Sequence, residues 1–384
     1  MPPPAIPEPA PKILDSHIHL WPSTATSPSN HTWMTPGHPL AKRHGIADYK
    51  AAVASSPVRP VGFIYVETDR HLPSLEPPIT DEDGEDARVE ELRAWAREPL
   101  EELKFLRRIV EGRGEEGDGF APFDSSLLKG IVIFAPFHLP SPLFQRYLQI
   151  AEETLGPLAW ERVVGFRYLL QGKGVEGVRA AAENESFVGN LRGIGGRVFD
   201  VGVDCQRDGV GGLEYVTQLV EKVNARMEGT RPKFVLNHLC KPPISPSPSQ
   251  TSPSTTSSPN QTFPQWSSHL TTLSTQPNVS IKLSGAFNEF APSPTPSTTP
   301  STMPSLLLAL TPYFDHVHSV FGPERVMFGS DWPVCNVGGP AGEAGNWGLW
   351  RGVVGAWMHG RMGDEERRGV WGGNGGRIYG VEVF

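Results

Sequence analysis

The decapeptide Lys12-Ile13-Leu14-Asp15-Ser16-His17-Ile18-His19-Leu20-Trp21 closes a short apolar run with two histidines one residue apart. On a strand, side chains two apart share a face, so His17 and His19 aim two imidazoles at one point while Ile18 packs the other way. Imidazole is the commonest neutral metal ligand and the usual acid or base near neutral pH. A His-x-His is commonly a surface accident, so the triplet carries weight only through its place at the end of a strand. A second one, His316-Val317-His318, lies in a helical pattern, where residues two apart diverge by about 200°, and is expected to be a solvated pair. Other chemistry has no signature here. There is no G-x-x-x-x-G-K-[ST], H-E-x-x-H or G-x-S-x-G, and the glycines from Gly338 to Gly345 read as a loop rather than a phosphate cradle.

The elements that must position the first pair follow from a repeating pattern. Eight short β-branched runs recur: Ile13 to His19, Val61 to Glu67, Gly130 to Ala135, Val163 to Leu169, Arg197 to Val203, Lys233 to His238, Val279 to Leu283 and Arg325 to Ser330. Helical periodicity fills the gaps at Leu92 to Val110, Phe144 to Leu155, Leu213 to Met227 and Leu306 to Phe321. Strands alternating with helices predict βαβ units on a parallel sheet, and eight units predict an α/β fold of the (β/α)8 TIM-barrel type as a single domain over residues 12–384, behind a disordered tail at 1–11. An open doubly wound sheet would want a glycine-rich turn after the first strand, where His17-Ile18-His19-Leu20-Trp21-Pro22 stands instead.

Composition excludes several classes. The 384 residues carry 34 basic and 42 acidic side chains, net −8, with the basic ones scattered, so no nucleic-acid footprint is expected. No apolar run approaches the roughly 18 residues of a membrane span, and no basic-then-apolar leader is visible. The three cysteines, Cys205, Cys240 and Cys335, form no C-x-x-C and fit a reducing, cytoplasmic setting. Residues 242–262 and 291–304 are almost entirely Pro, Ser and Thr with a few Asn and Gln, a composition that cannot offset its ordering entropy by burial. Both read as mobile insertions at C-terminal strand ends. The acidic stretch Glu76 to Glu91 reads as a third, solvated insertion.

In a barrel, catalytic residues come from the C-terminal ends of several strands. Here those ends offer His17 and His19, then Glu67, Arg167, Asp200, His238, Lys282 and Asp331. Ionisable groups buried there are costly unless paired or used. Each has a bland alternative: Glu67 paired with a cation, Asp200 capping a strand end, Lys282 snorkelling to the loop layer, His238 satisfied in the core. Trp21, His31, Trp33 and Tyr49 lie in or beside the first strand–helix loop. They read either as a rim for a sugar ring or pyrone or as aromatic packing of that loop.

These segments resemble the amidohydrolase-related (amidohydrolase 2) family. The likeness is carried in order by Asp15-Ser16-His17-Ile18-His19-Leu20-Trp21, Gly165-Phe166-Arg167-Tyr168-Leu169-Leu170-Gln171, Asn237-His238-Leu239-Cys240-Lys241-Pro242, Lys282-Leu283-Ser284-Gly285, Gly329-Ser330-Asp331-Trp332-Pro333 and Gly373-Asn374-Gly375-Gly376-Arg377-Ile378-Tyr379. Within the family it is nearest to the branch of sugar-acid and pyrone-dicarboxylate lactonases. The resemblance implies a barrel hydrolase acting on a small-molecule lactone, with His17 and His19 as the first-strand pair, His238 from the sixth strand and Asp331 from the eighth. Binuclear members add a fourth-strand lysine or glutamate and a fifth-strand histidine. This chain has Arg167, which does not ligate metal, and Asp200 or Val201. The resemblance therefore implies one divalent ion, zinc by preference, on His17, His19 and Asp331, or a metal-independent site.

Lactone hydrolysis needs an activated water, a polarised carbonyl and a proton for the leaving oxygen. Asp331 is expected to be the general base. His238, Arg167 and Lys282 are expected to complete the catalytic set, with Trp21, Trp33, Tyr49 and Glu67 against the substrate. A metal-dependent decarboxylase of the same family would want a histidine in Val198 to Asp204, where none stands. A non-catalytic barrel used for binding is the third reading.

Overall fold

The apolar runs form eight strands in a computed structural model that describes residues 11–383 apart from 81, 83, 226–228, 246–258 and 291–295. They are β1 (Ile13–Ile18), β2 (Pro60–Val66), β3 (Leu128–Phe134), β4 (Val163–Arg167), β5 (Val198–Val201), β6 (Lys233–Leu236), β7 (Val279–Leu283) and β8 (Val326–Phe328). Each is parallel to the next, in sequence order. The seam between β8 and β1 is closed by the site's own residues. His19 N–H donates to the Trp332 carbonyl at 2.8 Å, and Asp331 N–H donates to the His17 carbonyl at 2.9 Å. The expected (β/α)8 barrel is therefore the fold, and its closure is what brings position 331 beside positions 17 and 19.

Parallel strands covered on both faces must be apolar on both. Phe63, Phe166, Phe199, Phe234, Ile281 and Phe328 pack outward with the helices. Leu14, Ile64, Val66, Val132, Val198, Val235 and Met327 fill the barrel, joined by Ile378, Tyr379 and Val383 from the C-terminus. The helix Asn374–Tyr379 thus closes the barrel floor.

One expectation changes. The single helix expected at Leu92 to Val110 is two, Glu85–Trp95 and Arg97–Glu111. Pro99 explains the break: its ring would clash with the Trp95 carbonyl in a continuous helix but is tolerated in a new first turn. The acidic stretch expected to be solvated is mostly exposed, and it turns helical at Glu85. The edges of both Pro/Ser/Thr tracts are held: Ile244 bridges to Phe290, Tyr313 donates to the Pro243 carbonyl at 2.9 Å, and a helix spans Pro259–Ser274. Residues 246–258 of the first tract, the first five residues of the second (291–295) and residues 1–10 lie outside the described residues. Among the described residues no helix is long and apolar enough to cross a membrane.

Candidate active site

One carboxylate oxygen organises the barrel mouth. The Nε2 atoms of His17, His19 and His238 lie 3.7, 3.5 and 3.6 Å from Asp331 Oδ1, and the whole group is buried. At those distances none is a formed hydrogen bond, and Oδ1 is a buried acceptor with no hydrogen-bond partner. Burial alone would raise the Asp331 carboxyl, but His238, His19 and Lys241 outweigh it and hold it below the ordinary value. Burial drives the imidazoles the other way. His238 is pushed down to about 3 against the pull of Asp331, and His17 lies well below its ordinary value through burial and then Lys282. Neutral His17 and His238 rings beside an ionised carboxylate are the state near neutral pH.

The local backbone is bent to achieve this. Leu14 faces the barrel interior and Asp15 the helices, and a register shift falls between Asp15 and Ile18. On the outer side Asp15 accepts from Tyr49 Oη and Trp347 Nε1, each at 2.8 Å, and from Ser330 N–H at 2.7 Å. The last of these ties β1 to the residue before Asp331. Among the described residues, the six non-glycines at positive φ are Asp69, His238, Leu239, Cys240, Lys241 and Asp331, all beyond C-terminal strand ends. Each left-handed residue costs roughly 1–2 kcal/mol, and such strain concentrates where function over-determines the chain. The run His238–Lys241 is pinned by Trp266 Nε1 on the Leu239 carbonyl at 2.8 Å and by Gln206 N–H on the Lys241 carbonyl at 2.9 Å. Gly285, at φ +66, must stay bare because a Cβ there would sit 2.7 Å from His238 Nδ1 and 3.0 Å from Asp331 Oδ2.

Below the mouth runs a buried polar chain. Tyr379 Oη donates to Asp200 Oδ2 at 2.6 Å, Lys282 Nζ donates to Asp200 Oδ1 at 2.6 Å, and Lys282 Nζ lies 3.0 Å from His17 Nδ1. His17 Nε2 lies 3.1 Å from His19 Nε2, whose Nδ1 lies 2.8 Å from the Val66 carbonyl. The two ends fix every proton between them. A carbonyl only accepts, so His19 carries its proton on Nδ1; an ammonium only donates, so His17 accepts on Nδ1 and carries its proton on Nε2. His17 Nε2–H then donates to His19 Nε2, and the chain is satisfied in one direction. His238 is oriented separately, by Ser284 Oγ at 2.8 Å from Nδ1.

The residues named from sequence are not all at the mouth. His17, His19, His238 and Asp331 converge, with Lys282 and Asp200 beneath. Arg167 is paired through Nε and Nη2 with the Glu67 carboxylate and carbonyl. The other Glu67 oxygen accepts from Asp69 N–H at 2.6 Å, so both oxygens of Glu67, expected against the substrate, are already partnered. Tyr49, expected on the rim, is on the helix Ile46–Val53 outside the barrel, because its hydroxyl is committed to Asp15. Trp21 is fully buried with Nε1 on the Lys42 carbonyl at 2.7 Å, packed against Trp33, His31 and His44. Trp33 is half-buried, its Nε1 on the Thr68 carbonyl at 3.0 Å, and His31 binds Thr68 Oγ1 at 2.8 Å. His316 and His318 do not converge, as expected, but they are half-buried against Trp266 and Trp357, not solvated.

Sequence reasoning missed Asp15, Ser284, Tyr379 and Glu102. Asp15 and Ser284 stand inside the quoted motifs, but as parity partners of His17 and Lys282 they read as strand residues with no task. Glu102 reaches from the helix Arg97–Glu111 to accept from Tyr65 Oη at 2.7 Å and Thr68 N–H at 3.0 Å, fixing the loop under Trp33 and His31.

The donors fit a small divalent ion. His17 Nε2, His19 Nε2 and Asp331 Oδ1 form a triangle of sides 3.1, 3.5 and 3.7 Å, which leaves a point about 2.0 Å from all three, the length of a zinc–nitrogen or zinc–oxygen bond. The unpartnered Asp331 Oδ1 completes the case. A second metal does not fit, because Arg167 and Asp200 are already paired.

Known proteins share this arrangement's frame. Residues 219–381 match the family model described as Amidohydrolase. An L-rhamnono-gamma-lactonase of Scheffersomyces stipitis is 29% identical over 86% of this chain and 88% of its own length. An L-fucono-1,5-lactonase of Burkholderia ambifaria is 30% identical over 40% of this chain and 43% of its own. Among solved structures, an amidohydrolase of Burkholderia multivorans with bound zinc superposes with a TM-score of 0.63 at 21% identity, covering 97% of this chain and 100% of that one. A putative 2-pyrone-4,6-dicarboxylic acid hydrolase of Pseudomonas putida gives 0.54 at 14% identity, over 97% and 99%. At these identities the two structures speak for the fold.

Proposed function

We propose that this chain, a member of the amidohydrolase family, hydrolyses a small-molecule lactone of the sugar-acid type at the C-terminal mouth of its barrel. The observation that carries the reading is Asp331 Oδ1, an ionised and unpartnered acceptor ringed by three imidazoles. The likeness to an L-rhamnono-gamma-lactonase over most of both chains supports the substrate class. Three buried free cysteines support a cytoplasmic setting.

Asp331 accepts a proton from a water held at Oδ1, and the water oxygen bonds to the lactone carbonyl carbon. The tetrahedral intermediate collapses with cleavage of the acyl–oxygen bond, and Asp331 returns the proton to the departing alkoxide. His238, oriented by Ser284, favours the oxyanion over the neutral carbonyl, above the Arg167–Glu67 and Lys282–Asp200 pairs beneath the mouth. A divalent ion on His17, His19 and Asp331 would supply Lewis-acid polarisation of the carbonyl when bound. No histidine stands in Val198 to Asp204, where a decarboxylase would want one, and Asp200 within that stretch is committed to Lys282 and Tyr379.

A panel of sugar-acid γ- and δ-lactones followed with a pH indicator tests the assignment, with aromatic carboxylic acids followed by CO2 release as the competing arm. Turnover of a lactone above its spontaneous opening is expected. CO2 release without lactone turnover would move the assignment to decarboxylation.

Two further outcomes are expected. The kcat/KM profile should be flat through neutral pH, because Asp331 ionises below its ordinary value. It should fall with a midpoint near 8, where Lys282, pulled down to about 8 by burial against the opposing pull of Asp200, loses its proton and the positive charge under the mouth. A rate still rising at pH 9 would contradict this. Gly285→Ala should lower kcat/KM at least about tenfold with an unchanged circular dichroism spectrum, since its methyl displaces His238 and Asp331 and a roughly 1 Å misplacement costs on the order of 100-fold.

A further inference from the structure

Metal-bound histidines ordinarily donate their outer ring N–H to a carboxylate, a carbonyl or water, which fixes the tautomer and raises ligand basicity. His19 meets that condition: its Nδ1 faces the Val66 carbonyl at 2.8 Å. His17 does not. Its Nδ1 faces Lys282 Nζ at 3.0 Å, and that ammonium is held in place by Asp200 Oδ1 at 2.6 Å and lies 5.4 Å from the Tyr379 ring centroid. For an ion to sit on His17 Nε2, the His17 proton must move to Nδ1, where it would point at another donor. The inner ligand triangle therefore suits a divalent ion, while the outer contact of one ligand opposes it.

We propose that Lys282 is the residue that sets the metal affinity of this pocket, by holding His17 in the tautomer whose Nε2 carries a proton and so competes with an ion for that nitrogen. Asp200 and Tyr379 are positioning residues in this device. They anchor the ammonium from the barrel floor, so the C-terminal helix bears on the state of a histidine on the first strand. The inference concerns the same pocket as the proposed hydrolysis but not the reaction, and its test reads metal affinity alone, so the two can fail separately.

The test is zinc affinity of the full chain, measured by competition with a chromogenic chelator, for the parent, Lys282→Met, and the double variant Lys282→Met/Asp200→Asn. The double variant removes the ammonium without leaving the Asp200 charge buried alone, so it reads the proposal if the single variant folds poorly. Either variant should bind zinc more tightly than the parent by roughly 10- to 100-fold, the usual weight of an outer-sphere contact. Adding His19→Ala should abolish the gain, which locates the ion at the His17, His19 and Asp331 triangle. General damage to the fold would not tighten binding. Folded variants that bind zinc no more tightly than the parent, or a gain that survives His19→Ala, would overturn the proposal.

Discussion

Asp331→Asn is expected to reduce kcat/KM for lactone opening by about 10²- to 10⁴-fold, the range of a lost general base, while the protein remains folded. The amide keeps the size of the carboxylate, so the seam bond from Asp331 N–H to the His17 carbonyl and the left-handed backbone at 331 persist. What disappears is the ionised acceptor among three imidazoles. The amide can place an oxygen at the same position, but that oxygen does not take a proton near neutral pH. Steady-state rates beside a thermal melt of both proteins check this. A variant that turns over lactone as fast as the parent would remove Asp331 from the mechanism.

The second large effect is on stability. Arg167→Met is expected to destabilise the barrel by about 3–5 kcal/mol, because it strands Glu67, 1% exposed, as a buried carboxylate without its cation. The remaining Asp69 N–H bond at 2.6 Å does not compensate a full charge in the interior. Removing both charges with Glu67→Gln/Arg167→Met should recover most of the loss, since a buried pair is worth far less than the penalty for breaking it. Urea unfolding midpoints for the parent, the single variant and the double variant separate the two contributions. A single variant within about 1 kcal/mol of the parent would show that Glu67 is not held as a charged partner.

Periodicity made the barrel legible. β-branched runs at regular spacing located all eight strands, and β7 ends where the pattern does, at Leu283. Position at a strand end, not residue type alone, singled out His17, His19, His238, Lys282 and Asp331 from the other histidines, lysines and aspartates. What sequence could not show was which side a residue takes once parity fails. Asp15 and Tyr49 illustrate this. Two-residue alternation puts Asp15 beside His17, but the register shift in β1 turns it outward, and Tyr49 follows it away from the mouth. Nor does sequence disclose pairing at a distance: Glu67 and Arg167 stand a hundred residues apart, and Tyr379 reaches Asp200 only because the last helix plugs the barrel. The run of left-handed residues at His238–Lys241 contains no glycine that could have announced it.

The most direct measurement is the fate of solvent oxygen during turnover of a lactone from the panel in H2¹⁸O. Attack by water at the carbonyl, with the proton taken by Asp331, predicts one ¹⁸O in the product carboxylate at the enzymatic rate, and incorporation slowed by the same factor of about 10² to 10⁴ with Asp331→Asn. Label appearing in the released hydroxyl group, or enzymatic incorporation that is equal in Asp331→Asn, would contradict the account.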